Sequence, residues 1–294
     1  MRGSRTGQVV LNIIFIFLCL IVIMPFLLLV SSSLTEEATL SQFGYNFFPR
    51  KFSLEAYIYL FQSSGKIVKG LGVSALVTAM GTFGSLILTL LFAYPLSRKE
   101  LPFRNFFAFF IFFTMLFNGG MVPSYMMWTQ VFNIKNTIWA LIFPNLFMSA
   151  FYVIMMRSFF TANIPDSLIE AARIDGAGEY RILLQIVIPL SKPMIATVML
   201  MTALGYWNDW TNSMYYITDS NYYSLQAILN NIITNVQFLQ SSTMGGAVSS
   251  AAASMPSIAI RMAIAVIGIV PILSIYPFFQ KYFVKGIVVG GVKG

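Results

Sequence analysis

The sequence contains no histidine and only one cysteine, Cys19, among its 294 residues. These absences exclude the usual histidine and cysteine metal sets, a cysteine–histidine nucleophilic pair and haem ligation by either residue. A disulfide bond within the chain is excluded as well. We therefore predict no catalytic residue and no metal site.

The sequence also lacks the Gly-x-x-x-x-Gly-Lys-Ser/Thr loop that cradles nucleotide phosphates. The nearest fragment is "SSGKI" at residues 63–67, which has no leading glycine and directly precedes an apolar run. This fragment cannot hold a nucleotide. If the protein uses chemical energy, another chain must supply it.

Charged side chains are scarce, at 10% of the residues, whereas hydrophobic ones reach 57%. A chain of this composition requires lipid as part of its solvent. A bilayer core of roughly 30 Å needs about 20 apolar residues in one helix. The six windows that meet this length are 9–30, 67–96, 106–128, 137–160, 194–216 and 258–283. The sequence thus predicts an all-α, polytopic membrane protein with six transmembrane helices.

The distribution of lysine and arginine predicts the orientation of these helices. With a cytoplasmic N terminus, the short inner segments hold most of the basic residues, as the positive-inside rule requires. The basic residues of the two inner loops are Arg98, Lys99, Arg104, Arg157, Arg173, Arg181 and Lys192. Both termini are therefore predicted to be cytoplasmic. The net charge of +8 is explained by topology, so we expect the bilayer and no nucleic acid as a partner.

Small residues recur at helical spacing within the second window, for example Gly81 with Ser85. Such spacing allows two helices to approach closely in lipid. We interpret these residues as internal helix packing rather than a ligand site.

A polar stretch, "IPDSLIEAARIDGAGEYRILLQIVIPLSKP", begins at Ile164 on the predicted inner face. Ser167 and Glu170 fit a capping box, which predicts the start of a short helix. Asp175-Gly176 predicts its end, because glycine tolerates the left-handed conformation. A second helix is predicted from Glu179 and is expected to stop at Pro189. By physics alone this helix–turn–helix is either a solvated loop or a surface that docks a partner.

The same stretch resembles the EAA loop of importer-type ABC permeases. That pattern reads E-A-A, three residues, G, nine residues, I-x-L-P, and it is matched by Glu170-Ala171-Ala172, Gly176, Ile186 and Pro189. Ile188 stands where the pattern has leucine, a swap that conserves apolar volume. The segment "NGGMVPSYMMWTQVFNIKNTIWALIFP" and the ending "FVKGIVVGGVKG" are similar to carbohydrate permeases of the MalG-like, LplC/YtcP type.

The resemblance implies a type I ABC importer with a MetI-like permease core in a bacterial cell membrane. It implies a first helix and outer loop at residues 1–66, a five-helix core at 67–284 with the coupling loop at 161–192, and a cytoplasmic tail at 285–294. The implied partners are a second homologous permease subunit, a dimer of ATP-binding subunits, an extracytoplasmic solute-binding protein and an oligosaccharide. No cofactor is expected on this chain, since ATP and Mg would bind the separate ATPase, which drives alternating access.

The resemblance also assigns residues that contact the ATPase. In the coupling loop and the C-terminal tail they are Glu170, Ala171, Ala172, Arg173, Asp175, Gly176, Gly291 and Lys293. The run "SSTMGGAVSSAAAS" of the last outer loop is either a linker or a contact for the solute-binding protein.

A possible substrate path is predicted in the fifth window, where "GYWNDWTN" places Trp207 and Trp210 three residues apart on one helix face. Asn208 and Asn212 add amide groups, and aromatic faces with amides suit sugar rings and hydroxyls. The alternative is an interfacial aromatic belt, because tryptophan concentrates where membrane meets water.

Two other functions remain open at this point. The solute could be a polyol or a glycerol phosphate, since related permeases handle both. A membrane-embedded enzyme ranks far lower, because the sequence supplies no cluster of buried acids, bases or nucleophiles.

Overall fold

The computed structural model describes residues 5–62, 65–144, 146–241 and 257–290. All regular structure in these ranges is helical, apart from an isolated bridge between Thr35 and Phe52. The all-α prediction is confirmed. The α-helices are α1 (Arg5–Ser33), α2 (Glu37–Phe43), α3 (Glu55–Gln62), α4 (Lys66–Ser97), α5 (Arg104–Leu116), α6 (Met121–Met126), α7 (Trp139–Ile142), α8 (Ala150–Asn163), α9 (Asp166–Ile174), α10 (Glu179–Ile182), α11 (Ile188–Leu190), α12 (Lys192–Asn208), α13 (Thr211–Tyr216), α14 (Leu225–Ser241) and α15 (Ser257–Gly290). Shorter turns are the π-helical Met127–Val131 and Leu183–Val187 and the 3-10 helix Ser220–Tyr222.

Three helices are long and apolar enough to cross a membrane unaided. They are Gly7–Ser33, Lys66–Ser97 and Ile258–Gln280, which correspond to the first, second and sixth predicted windows. The described residues form up to five membrane spans if each of the two bent helix pairs is counted as one span. The count of six and the cytoplasmic termini therefore stay predictions.

The third window is a bent pair rather than a single helix. Helix α5 ends at Leu116, and Met121–Val131 continues at an angle of 109°. The bend lies at "FNGG", where Gly120 has a φ of +86° and its N–H donates to the side-chain oxygen of Asn118. Glycine adopts this φ without steric cost, so the sequence breaks the helix there.

The fourth and fifth windows are also interrupted. The fourth consists of the short α7 and the longer α8, separated by a segment that includes Pro144. In the fifth, α12 ends at Asn208 and a separate helix, α13, follows. Composition identified these apolar segments, but it could not locate the breaks inside them.

The chain divides into two compact units. Unit one consists of Met1–Val68 and Leu229–Pro271. In it, the α1 side chains from Gly7 to Leu27 are all exposed. A helix that is apolar on every side requires lipid or another membrane protein around it. The other notable feature is Glu37, whose carboxylate accepts 2.9 Å bonds from the N–H groups of Ile258 and Ala259 at the start of α15. This carboxylate therefore caps the last long helix.

Unit two consists of Lys69–Ile228 and Ile272–Gly294. Its largest buried cluster joins α4, α5, α8, α9 and the segment after Glu179, and Val153, Met156 and Phe160 of α8 lie at its centre with no exposure. Gly81 of α4 lies against the ring of Tyr206 on α12. Gly81 therefore serves close helix packing, as predicted.

Candidate functional site

The predicted docking segment forms helix α9, and one face of it is anchored in unit two. Ile169 is 2% exposed and belongs to the large core cluster, and Ala172 packs against the same cluster. The cluster also contains Tyr94 of α4 and Phe160 of α8. Helix α9 is therefore fixed to the ends of two long helices.

The opposite face of α9 is open. Glu170 and Ala171 are exposed, and Ile174 is 86% exposed at the C-terminal end of the helix. Gly176, just beyond, is exposed too. An exposed aliphatic side chain next to an alanine gives this face a shape that a partner's groove can cover.

The predicted capping box of Ser167 and Glu170 is wrong. Helix α9 begins at Asp166, its N-cap is Pro165 in an extended conformation, and no described side chain caps it. The ring of Pro165 forces Ile164 out of the helical region, so α8 ends at Asn163 and α9 starts directly after the proline. Ser167 consequently lies inside the first turn, where its hydroxyl cannot act as the N-cap.

The predicted end of α9 at Gly176 is confirmed. Gly176 has a φ of +80°, its N–H donates to the carbonyl of Arg173 at 3.0 Å, and the N–H of Ala177 donates to that of Ala172 at 2.9 Å. This pair of bonds is the Schellman arrangement, which needs a left-handed residue between helix and loop. Glycine is favoured here because an L side chain is strained at this φ.

The prediction that Pro189 ends the second helix is wrong. The chain stays helical from Glu179 to Leu190, with a π-helical turn at Leu183–Val187, and then bends by 85° before α12. In a regular α-helix the proline ring collides with the carbonyl four residues earlier. The wide π turn changes the hydrogen-bond register just before Pro189, so the helix can continue through it.

An ion pair connects α9 to the turn after α4. The ammonium of Lys99 donates to Asp166 at 2.9 Å, and the guanidinium of Arg98 lies 3.8 Å from the same carboxylate. The hydrogen bond from Lys99 lowers the pKa of Asp166, and the same contact raises the pKa of Lys99. Both groups are open to water, so the pair contributes to orientation more than to stability.

A second polar connection joins α9, the next helix and α4 through one carboxylate. Glu179 accepts a hydrogen bond from Arg173 Nε at 2.9 Å and another from the hydroxyl of Tyr94 at 2.5 Å. Tyr94 is 5% exposed and lies near the end of α4. Glu100 adds a weaker contact, 3.8 Å from Arg173. Arg173, Glu179 and Tyr94 thus form a continuous set of hydrogen bonds from α9 to the end of α4.

A cavity of about 410 Å³ lies beside these residues. Its walls combine two arginines and two glutamates with apolar side chains: Leu91, Tyr94, Pro95, Arg98, Glu100, Leu101, Pro102, Arg173, Glu179, Tyr180 and Leu183. The two arginines and two glutamates give the wall no net formal charge.

The sequence placed Arg173 in the coupling loop and Lys99 on the inner face, but it predicted no contact of Tyr94, Lys99 or Glu100 with that loop. Tyr94 is 85 residues from its partner Glu179, and nothing in local spacing reports such a contact. The only available signal was a glutamate within a largely apolar sequence, which in such surroundings is expected to be paired.

Glu179→Gln is expected to loosen α9. The amide keeps the shape but removes the charge that both donors contact, and we expect amide hydrogen exchange in α9 to become roughly fivefold faster. Mass spectrometry of the purified protein in detergent would measure this. Glu100→Gln is the matched control, because its carboxylate makes only the 3.8 Å contact. Equal exchange rates in the two variants would contradict the role of Glu179.

The predicted substrate-path residues are only partly brought together. Trp207 lies at the end of α12 and is buried, whereas Trp210 follows the break and is 38% exposed, so the single shared helix face is wrong. Asp209 causes the break, because its carboxylate accepts from the N–H groups of Thr211 and Asn212 and so starts α13.

The two asparagines of this stretch are used differently. The amide of Asn212 is buried and donates to the carbonyl of Pro144 at 3.1 Å, whereas Asn208 is exposed and donates within its own helix to Leu204. Contact of these four residues with a substrate stays a prediction.

Two predicted contacts, Gly291 and Lys293, lie outside the described residues, as does the outer run at residues 241–254 apart from Ser241. Among the residues that are described, no group of three histidine, cysteine, aspartate or glutamate side chains could hold a metal ion. The described loop has one anchored face and one open face.

A sequence model of the family described as "Binding-protein-dependent transport system inner membrane component" matches residues 85–289. Protein LplC of Bacillus subtilis is 38% identical over 299 residues, which cover 100% of this chain and 98% of that protein. The polygalacturonan/rhamnogalacturonan transport system permease protein YtcP of the same species is 39% identical, with 94% of each chain covered.

A solved structure is similar over almost the whole length. It is described as a bacterial ABC transporter involved in the import of the acidic polysaccharide alginate. One chain of it superposes with a TM-score of 0.78 at 28% sequence identity, covering 96% of this chain and 98% of that one.

Proposed function

This chain belongs to the family of binding-protein-dependent transport system inner membrane components, and on that premise we propose that it forms part of the path by which a bacterium imports an oligosaccharide. It is a multi-pass transport subunit of the bacterial plasma membrane and not an enzyme. The observation that carries the proposal is the 39% identity to a polygalacturonan/rhamnogalacturonan permease over 94% of both chains.

We propose a fragment of an acidic polysaccharide as the solute. Two relatives support this class, because one is a polygalacturonan/rhamnogalacturonan transport permease and the other is a transporter involved in the import of alginate. Both polymers contain uronic acids. A short oligogalacturonide is therefore the first compound to test.

The proposed complex contains a second permease subunit, an ATPase dimer that binds ATP and Mg, and an extracytoplasmic solute-binding protein. In this complex the exposed face around Glu170, Ala171 and Ile174 docks on the ATPase. ATP shifts the equilibrium between two conformations of the transporter only to the extent that it binds one of them more tightly. The docked helix therefore has to move as a rigid body. The Schellman turn at Gly176 and the carboxylate of Glu179 provide that rigidity.

The proposed direction of transmission follows the contacts of unit two. Displacement of α9 acts on Arg173 and Glu179, then on Tyr94 at the end of α4. Helix α4 in turn packs against Tyr206 of α12 at Gly81. Motion at the coupling loop thus reaches the helices that contain the predicted path.

Uptake of a labelled oligogalacturonide tests the solute. Cells that lack this chain are expected to lose ATP-dependent uptake of tetragalacturonate, and re-expression is expected to restore it. An arabino-oligosaccharide and sn-glycerol 3-phosphate serve as comparison solutes. If these cells keep tetragalacturonate uptake but lose uptake of one comparison solute, the proposed solute is wrong. The transport role would still hold.

A further inference from the structure

Two half-buried arginines lie at the inner end of the seam where α5 packs against α8. Arg104 is one turn before Ala108 and two turns before Ile111, which both pack in the core cluster that contains Val153 of α8. Arg157 of α8 is one turn after Val153. Each arginine therefore continues the packed face of its helix to the end of the seam.

The positive charges at this end of the seam repel each other. Arg104 lies within electrostatic range of Arg157 and also of Lys99. Its side chain has no hydrogen bond or ion pair with any residue that the structure describes. Arg157 donates its Nε to the carbonyl of Leu96 at 3.0 Å, and none of the described carboxylates pairs with it. The described chain thus leaves both guanidinium charges without a counter-charge.

The carboxylates of the surrounding turns are engaged with other cations. Asp166 accepts a hydrogen bond from Lys99 at 2.9 Å and lies 3.8 Å from Arg98. Glu100 lies 3.8 Å from Arg173. Charged groups that are partly buried in a protein are usually paired. The counter-charge for the two seam arginines therefore has to come from outside the described chain.

A surface cavity of about 470 Å³ opens beside Arg104. Its lining provides two cations and one amide and contains no carboxylate, whereas the cavity beside Tyr94 combines two arginines with two glutamates. Guanidinium and ammonium groups are the side chains that bind phosphate most strongly. The lining residues are Lys99, Leu101, Phe103, Arg104, Asn105 and Phe106. This cavity therefore suits a phosphate group.

The cavity lies at one end of a candidate membrane span, because α5 begins at Arg104 and forms a span together with Met121–Val131. Phe103, Phe106 and Phe110 are exposed by 79%, 63% and 58%. Apolar rings that are exposed along a membrane helix contact acyl chains, and lipid phosphates lie where the apolar span ends. A phosphate at this level of the protein is therefore that of a lipid.

We propose that Arg104, Arg157 and Lys99 bind the phosphate of an anionic phospholipid from the inner leaflet. The acyl chains of this lipid lie along the exposed phenylalanines of α5. Basic pockets between membrane helices on the cytoplasmic side are suited to anionic headgroups. A phosphate between the two arginines replaces their repulsion by attraction to one shared anion. The bound lipid thus stabilises the seam of α5 and α8, whichever solute the transporter carries.

Lipid titration followed by native mass spectrometry tests this site. The assembled transporter is purified in detergent and mixed with phosphatidylglycerol or with phosphatidylcholine, and this subunit is then released in the gas phase to count its bound lipid. We expect phosphatidylglycerol to bind at least about tenfold more tightly, because the choline cation is repelled by the surplus positive charge.

Arg104→Gln is expected to weaken phosphatidylglycerol binding about tenfold, as for the loss of charge-assisted hydrogen bonds. The variant should fold, because the side chain of Arg104 makes no bond with any part of the chain that the structure describes. Arg104→Lys should retain part of the affinity, since it keeps the charge but loses the planar fork. The matched control is Arg181→Gln, which removes an exposed inner charge whose Nε contacts only Gln185 at 3.0 Å.

Equal affinities for the two lipids would overturn the proposal, and so would equal losses in Arg104→Gln and Arg181→Gln. Inorganic phosphate and glycerophosphoglycerol serve as competitors without acyl chains. If either displaces phosphatidylglycerol at a similar concentration, the site binds a free anion and the lipid assignment is wrong. If Arg104→Gln keeps its lipid but purifies with less ATPase, the arginine contacts that partner and the proposal is again wrong.

Amide hydrogen exchange of the same complex locates the bound lipid. Phosphatidylglycerol should slow exchange at residues 103–107 relative to phosphatidylcholine, and this protection should be absent from Arg104→Gln. Exchange in α13 should be the same in both lipids, since this helix does not contribute to the cavity. Protection that is missing from the α5 start in the unsubstituted protein, or that persists in Arg104→Gln, would place the lipid elsewhere and overturn the assignment.

Discussion

Gly176→Leu is expected to abolish solute uptake while the protein still inserts into the membrane and assembles its helices. Gly176 has a φ of +80°, a conformation that costs an L residue about 1–2 kcal/mol. The strain falls on the two bonds that close α9, from Gly176 to Arg173 and from Ala177 to Ala172. A frayed α9 cannot transmit movement of the ATPase to the membrane helices, so we expect uptake to fall by at least about tenfold.

The measurement is uptake set against ATP hydrolysis in proteoliposomes, with membrane insertion followed by the yield of folded protein. Gly178→Leu is the matched control, because Gly178 also has open space around it but its φ is −71°, which any residue adopts. Gly176→Asn should retain part of the activity, since asparagine tolerates the left-handed region. Normal uptake by Gly176→Leu, or an equal loss in Gly178→Leu, would contradict the coupling role.

Gly81→Leu is expected to prevent stable folding of unit two. A Cβ atom at position 81 would lie 2.6 Å from ring atoms of Tyr206, well inside contact distance. The ring cannot withdraw easily, because Tyr206 is 2% exposed and its hydroxyl donates to the carbonyl of Ile142 at 2.9 Å. Overpacking of this kind costs about 1–3 kcal/mol for small insertions, and leucine adds three further carbons.

Thermal unfolding followed by size-exclusion chromatography of the detergent-solubilised protein would measure this effect. We expect little folded Gly81→Leu protein at 37 °C. Gly72→Leu is the control, since Gly72 lies on the same helix with nothing within 4 Å of its Cβ position, and it should fold normally. Equal yields of the two variants would show that α4 and α12 are not packed as described.

The features that sequence predicts well are those that depend on neighbouring residues. Three apolar windows became single long helices because apolar length alone decides whether a helix can cross lipid. The end of α9 was predictable because Asp175-Gly176 has one common local use, the left-handed turn after a helix.

The features that sequence missed depend on contacts between distant residues or on competition between two local rules. The bond from Tyr94 to Glu179 joins residues 85 positions apart, and no periodicity reports it. Pro189 has a strong tendency to end a helix, but the π turn before it relieved the clash. Asp209 divided an apolar window because its carboxylate accepts hydrogen bonds from two backbone N–H groups. In a continuous helix those N–H groups would donate to backbone carbonyls instead.

The carboxylate of Glu37 has a consequence for the order in which this protein is made. It satisfies the N–H groups of Ile258 and Ala259, which leave the ribosome more than 200 residues later. These two bonds can therefore form only after residue 259 has been synthesised. Docking of the start of α15 onto Glu37 thus joins the two chain segments of unit one, and it cannot precede synthesis of the more than 200 residues between them.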